Sequence, residues 1–347
     1  MYFIGFLTSF TAALVLSWSC VMEVCTLLGY ERRSTFCTWL IAACAAVGSM
    51  GAVSKPWAPW SIMSVGVLHR VFPDMTVTYP QYFAWVIPVS ALAMVGILLG
   101  GRIMRLDTSR IMAHKGALTD AAIRFTRSQK FAAGLCVLML TLLFIPSFLP
   151  DGTLKALLSE MGVFGVFTLL ILIAALCRDE TGESLIDLNR LIKDGAVPWG
   201  VIFLLGAMLP LIAGMQSEEA GIMPLLQALV APHLNGLSPA AFYMGCVIFF
   251  GLLAQVLPRA LLLFAVLPLM LQVAGVIGAE PVMTTMLALF SLVCPLGTPG
   301  ASAYAGMLYG NRNVNIRDCF RAVWLCLAAI LLSIAAAGLP LGMLLFC

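Results

Sequence analysis

Apolar residues in this chain fall in long runs, without the strict alternation of a half-buried strand. A helix needs about 20 such residues to cross the hydrocarbon core of a bilayer. Uninterrupted runs of this kind cover residues 82–100, 131–148, 157–177, 199–215 and 323–346. Four other runs are broken. Residues 2–29 carry Ser17-Trp18-Ser19-Cys20 and Glu23 in their interior, which predicts two short helices meeting at a serine-bearing tip. Residues 36–71 are too long for one simple crossing and are interrupted by Gly48-Ser49-Met50-Gly51 and again by Ser54-Lys55-Pro56. Residues 240–275 are interrupted at Gln255, Pro258 and Arg259, which predicts a second hairpin. Residues 282–308 contain Cys294-Pro295-Leu296-Gly297-Thr298-Pro299-Gly300-Ala301-Ser302. A helix cannot continue through that stretch, because each proline removes an N–H donor and clashes with the preceding turn.

Broken backbone inside hydrocarbon is tolerated only where protein buries it or where it lines a polar cavity. A membrane helix interrupted at mid-depth, with the hydroxyls of Thr298 and Ser302 at the break, therefore points to a site for a small solute or ion. A proline kink without a ligand would also explain that stretch alone. The repetition argues against it: hairpin, broken helix and plain helix occur in residues 2–100 and again in 240–346. Paired interrupted segments indicate a secondary transporter with internal repeats. The expected fold is an all-α polytopic membrane protein of inverted repeats, each with a re-entrant hairpin, a discontinuous helix and a plain transmembrane helix. Residues 1–101 would form the first repeat, 102–130 a basic loop, and 131–347 three further helices and the second repeat.

Composition agrees, at 62% hydrophobic and 10% charged, against roughly half and a quarter for soluble domains. The net charge of +3 says less than its placement. The segment 101–130 holds Arg102, Arg105, Arg110, Lys115, Arg124, Arg127 and Lys130 against Asp107 and Asp120. With this loop in the cytoplasm, the order of spans puts on the same side all 19 Lys and Arg except four. Arg70 and Lys155 fall outside, and Lys55 and Arg259 within the membrane. The positive-inside rule then predicts a multi-pass inner (plasma) membrane protein with 102–130 cytoplasmic and the hairpins entering from opposite faces. The eleven cysteines form no metal-ligand spacing, and no nucleophile–base pair or phosphate-binding glycine loop occurs. An enzyme, a cofactor and a nucleic-acid partner are not expected. The bilayer and a small anion are.

Several residue groups together resemble the divalent anion:sodium symporters of the ion-transporter superfamily. They are Pro198-Trp199-Gly200-Val201, the second hairpin, Gly297-Thr298-Pro299, and Asn315-Ile316-Arg317-Asp318 with Arg321-Ala322. The resemblance covers nearly the whole chain and is best from Val197 onward. It implies an elevator-type, homodimeric inner-membrane carrier whose hairpin tips read Ser-Asn-Thr and whose broken helices carry Thr-Pro turns. In that family these four elements hold sodium and a dicarboxylate, tricarboxylate or sulfate. This chain departs from the pattern. It is expected to lack about three leading spans, which a start codon roughly 100 residues upstream would restore. Ser17-Trp18-Ser19 and Pro258-Arg259-Ala260 stand at the tips, and Ser54-Lys55-Pro56 at the first turn.

Sodium, a hard cation, needs oxygen ligands. Trp18 offers only an indole N–H, and neither Arg259 nor Ala260 has a side-chain oxygen. With its motifs degraded, sodium coupling is expected to be weak or absent. The replacements are cationic instead, and a charge at mid-membrane costs roughly 2.5 kcal/mol or more. Lys55 and Arg259 are therefore expected to stand in for bound sodium and attract the anion, Arg259 through paired N–H bonds, with help from half-helix N-termini. The candidate substrate site comprises Ser17, Trp18, Ser19, Lys55, Pro258, Arg259, Gly297, Thr298, Pro299, Gly300 and Ser302. Glu23, Gly48 and Gly51 are ion-coupling candidates. A structural alternative pairs Glu23 with Lys55 and lets Arg259 snorkel or cap carbonyls at the hairpin tip. At the level of function the alternatives are a dicarboxylate or citrate carrier from another branch of the superfamily, and a truncated, non-transporting remnant acting at most as a membrane scaffold.

Overall fold

Apolar runs satisfy their backbone groups most simply as helices, and no strand occurs among the described residues. The computed structural model describes residues 1–7, 10–108, 127–149, 152–178 and 238–346, with single positions at 184, 210, 214, 217, 221 and 225. In chain order the helices are α1 (Tyr2–Leu7), α2 (Phe10–Leu27), α3 (Thr35–Val53), α4 (Pro59–Val71) and α5 (Tyr79–Ile103). They continue with α6 (Arg127–Phe148), α7 (Thr153–Leu176), α8 (Pro239–Leu253) and α9 (Arg259–Ile277). The last three are α10 (Pro281–Ser291), α11 (Ala303–Tyr309) and α12 (Ile316–Leu345). Four of these, α3, α5, α9 and α12, are long and apolar enough to cross a membrane.

The boundaries follow local chemistry. Ser34, Ser238, Asn315 and Ser302 each accept a backbone N–H at the start of α3, α8, α12 and α11, as side-chain N-caps do. Pro239 and Pro281 occupy first turns, where a missing N–H costs nothing. Gly278 ends α9 at φ +71°, a conformation that glycine adopts without strain. Inside α9 and α12 the helix widens to π turns at Leu262–Val266 and Ile334–Gly338. Each lies just before a proline, Pro268 or Pro340, whose absent N–H frees a carbonyl one turn back.

By contacts the chain divides into two units. One comprises Met1–Val77, Gln81–Gly116 and Gly214–Cys347, so the first and last parts of the sequence fold together. The other comprises Thr78–Pro80 and Ala117–Ala213, in which α6 packs against α7. In the first unit α3 is the central element, flanked by α1, α2 and α12. The equivalent role later in the chain falls to α10, flanked by α8 and α9. One end of this unit gathers the start of α3, the end of α5 and the start of α12. There Arg33 Nε donates to the Arg312 carbonyl at 2.8 Å, Tyr30 to the Asp107 carbonyl at 2.5 Å, and Thr35 to Asp318 at 2.8 Å. The end of α9 and the start of α10 lie at the other end, where the Glu280 N–H donates to the Tyr243 hydroxyl at 2.6 Å.

Two expected breaks do not occur. Helix α2 runs unbroken through Ser17-Trp18-Ser19, so these residues are not a tip. The Ser17 hydroxyl returns to the Leu14 carbonyl at 2.9 Å and the Trp18 indole donates to the Ile41 carbonyl at 3.2 Å. Such bonds satisfy polar side chains on a helix without ending it. The step from α1 to α2 lies at residues 8–9, outside the described residues. Helix α3 likewise continues through Gly48-Ser49-Met50-Gly51 and breaks only after Val53. Its glycines form a notch for α1: a Cβ on Gly51 would overlap the Tyr2 carbonyl, and one on Gly5 the Gly48 carbonyl. Small residues at such a crossing let two helix backbones approach closely. The helices are interrupted at 254–258 and at 292–302, where the sequence predicts interruptions. The Pro198-Trp199-Gly200-Val201 motif lies outside the described residues, as does the predicted span 199–215 apart from positions 210 and 214.

Candidate functional site

The two interrupted helices meet. Ser49, one turn before the end of α3, donates its hydroxyl to the Val293 carbonyl just past the end of α10. The α8–α9 tip lies against the same point. Gln255 is buried there (1% exposed) and spends its amide on three backbone groups. Its Nε2 donates to the Gly251 and Cys294 carbonyls at 2.8 and 3.1 Å, and its Oε1 accepts from the Gly297 N–H at 2.7 Å. Thr298 Oγ1 donates to the Gln255 carbonyl at 2.5 Å. Tip and break are thus one hydrogen-bonded body. The link is needed because carbonyls after α10 have no helical partner.

Arg259 opens α9 directly after Pro258, which stands at the N-cap position. Its side chain is only 9% exposed. It donates from Nη2 to the Val293 carbonyl at 3.2 Å, and its guanidinium lies 5.0 Å from the ring centroid of Trp60 on α4. Trp60 sits in the first turn of α4, whose N-cap residue Ala58 makes no side-chain cap. Arg259 therefore touches both broken helices, α4 of the first and the 292–302 break of the second. Among the described residues no carboxylate pairs with it. A guanidinium has five donors, and a buried one with a single acceptor and an aromatic face has capacity for an anion.

Lys55 follows the end of α3 and turns to α1. Its ammonium donates to the Phe6 and Gly5 carbonyls at 3.0 and 3.4 Å, closing a helix end in the way basic side chains do. The expected pairing of Lys55 with Glu23 is not what these bonds describe, since Glu23 is exposed on α2. A Lys55→Met chain, which keeps the volume and loses the donor, should lose about 1–3 kcal/mol. The thermal midpoint of the purified protein should fall, and an unchanged midpoint would mean that the α1 carbonyls do not depend on this ammonium.

The remaining candidates divide. Gly297 is buried in the knot, whereas Pro299 and Gly300 are exposed. The Ser302 hydroxyl donates to the Pro295 carbonyl at 2.8 Å and caps α11 through the Ala305 N–H at 3.1 Å, so its position holds the turn in shape. Ser17 and Trp18 face α3 and the exposed Ser19 lies beside them on α2, none at the meeting point. Gly48 and Gly51 are taken up by the α1 crossing. The sequence pattern missed Trp60 and the Ser49–Val293 link, which no spacing rule connects across 244 residues. It also missed Phe10, which packs against Tyr304 at 4.4 Å between centroids and brings the start of α2 to α11. Gln255 was visible as a polar residue in an apolar run, but its role was not.

No known protein-family model matches this chain, and no curated protein matches it in sequence. Fold and site define a helical protein with four helices long and apolar enough to span a membrane and a buried cationic centre where two interrupted helices meet.

Proposed function

We propose that the protein is a secondary carrier for a small anion of the di- or tricarboxylate or sulfate class, with weakened or absent sodium coupling. The observation that carries this is Arg259, buried where the two breaks meet and with no carboxylate partner among the described residues. Depth supports it. Ser49 lies about 21 Å along α3 from Thr35, and Val293 about 18 Å along α10 from Pro281. Together these distances approach the thickness of a bilayer with its headgroups, which supports a meeting point near the midplane. The α8–α9 hairpin then enters from the Glu280 end, whereas α1 and α2 run in one direction along α3 toward the arginine-rich end. With Arg32, Arg33, Arg102, Arg105, Arg312, Arg317 and Arg321 at one end, that end faces the cytoplasm of the plasma membrane. The mechanism proposed is elevator-type alternating access by a homodimer. The site does not include Ser17, Trp18 or Ser19.

The test is uptake of labelled succinate, citrate and sulfate into proteoliposomes, each with and without a sodium gradient. Ligand-dependent thermal stabilisation of the purified protein runs alongside, since a bound ligand stabilises by RT ln(1 + [L]/Kd). Uptake and stabilisation by one of the three anions are expected, with little change when sodium is replaced by potassium. If none is transported and none stabilises, the carrier reading fails and a membrane scaffold remains. One observation favours that second reading: Thr298 and Ser302 both spend their hydroxyls inside the knot.

A further inference from the structure

A second cationic site lies away from Arg259. The end of α5 and the start of α12 enclose a cleft of about 600 Å³ lined by Thr35, Ile103, Arg105, Asp318, Arg321 and Trp324, among others. Arg105 takes a left-handed backbone conformation, φ +52°. A non-glycine residue holds such a geometry only when its surroundings fix it. Both arginine side chains are exposed, and among the described residues neither makes a side-chain hydrogen bond or ion pair. The one carboxylate in the cleft, Asp318, accepts from Thr35. Trp324 lines the cleft, and its Nε1 is the buried side-chain polar atom without a partner among the described residues. Buried indole N–H groups ordinarily find an acceptor.

The walls of this cleft are half apolar and open outward. Ile103 is 68% exposed and Phe320 47%, on helices long enough to span. A free anion would use the arginines and leave those side chains idle. A phospholipid uses both, with its phosphodiester on the arginines and its acyl chains along the helices. We infer that this cleft binds the headgroup of an anionic glycerophospholipid, with Arg105 and Arg321 on the phosphate and Asp318 accepting from a headgroup hydroxyl. Basic pockets between helices at the cytoplasmic surface are where such headgroups are held. The inference rests on the membrane orientation proposed above and is independent of which anion is carried.

The experiment uses the full chain in nanodiscs of phosphatidylcholine doped with phosphatidylglycerol whose tails are brominated, which quenches nearby tryptophans. The part of the emission lost in Trp324→Phe reports Trp324. It should be quenched by brominated phosphatidylglycerol at roughly 30-fold lower mole fraction than by brominated phosphatidylcholine, a factor of about five per arginine. Arg105→Ala with Arg321→Ala should abolish that preference, while Arg70→Ala, at the other end, should keep it. If the double variant does not fold, the wild-type comparison of the two brominated lipids decides alone. Equal quenching by both lipids overturns the inference, as does full relief of quenching by millimolar glycerol 1-phosphate, which would make this a free-anion site. Proteoliposome uptake of anions by the same preparations keeps the two readings apart: transport without lipid preference refutes this site only.

Discussion

Arg259→Ala should reduce anion uptake by about 100-fold or more and leave the protein folded. Truncating one partner of a buried, hydrogen-bonded charge contact costs about 2–5 kcal/mol, and each 1.4 kcal/mol is tenfold. The loss should appear in substrate binding as well as in rate, so ligand-dependent thermal stabilisation should vanish with it. The fold should survive, because the change removes a buried charge together with one hydrogen bond to the Val293 carbonyl. Desolvating a lone cation is itself unfavourable, so the two terms partly cancel. Arg259→Lys separates charge from shape. It keeps a cation but loses the planar face stacked on Trp60 and the paired donors, and should fall between the two. Uptake by Arg259→Ala equal to wild type would remove the arginine from the substrate and with it the basis for an anion carrier.

How much of this was legible in the sequence differs between the two halves. In the second, Pro258, Pro295 and Pro299 stop helices by local chemistry, and a local rule finds them: α8, the 254–258 tip, α10 and the 292–302 break lie where the pattern puts them. In the first half polarity and glycine misled. Ser17-Trp18-Ser19 and Gly48-Ser49-Met50-Gly51 look like interruptions, yet a serine can bond back to its own helix and a glycine can serve a crossing. Neither outcome can be told from a break without knowing that α1 lies in the α3 notch. Arg259 stands out because a charge inside a long apolar run is costly wherever it points. Its partners did not, because Trp60 and Val293 are recruited by folding the two halves of the chain together. Lys55 carried the same signal as Arg259 and has a different surrounding: the carbonyls of Gly5 and Phe6 absorb its ammonium.

Gln255→Ala should be among the most destabilising single changes in the chain. The residue is buried, and its amide answers the Gly251 and Cys294 carbonyls and the Gly297 N–H. Each group left unsatisfied in a buried place costs about 1–3 kcal/mol, so the total should reach roughly 3–5 kcal/mol. Volume does not explain it. Gln255→Met fills the same space without either polar end and should lose nearly as much. The break itself reads the result. Amides of residues 292–298 should exchange with solvent hydrogen faster in both variants, and those of α7, in the other unit, should not. The Arg259 contact to Val293 sits on the same carbonyl run, so uptake should fall in parallel with exchange protection. Wild-type stability and protection in Gln255→Met would mean that the tip is held to the break by packing, and that the polar knot does not fix the geometry in which Arg259 meets an anion.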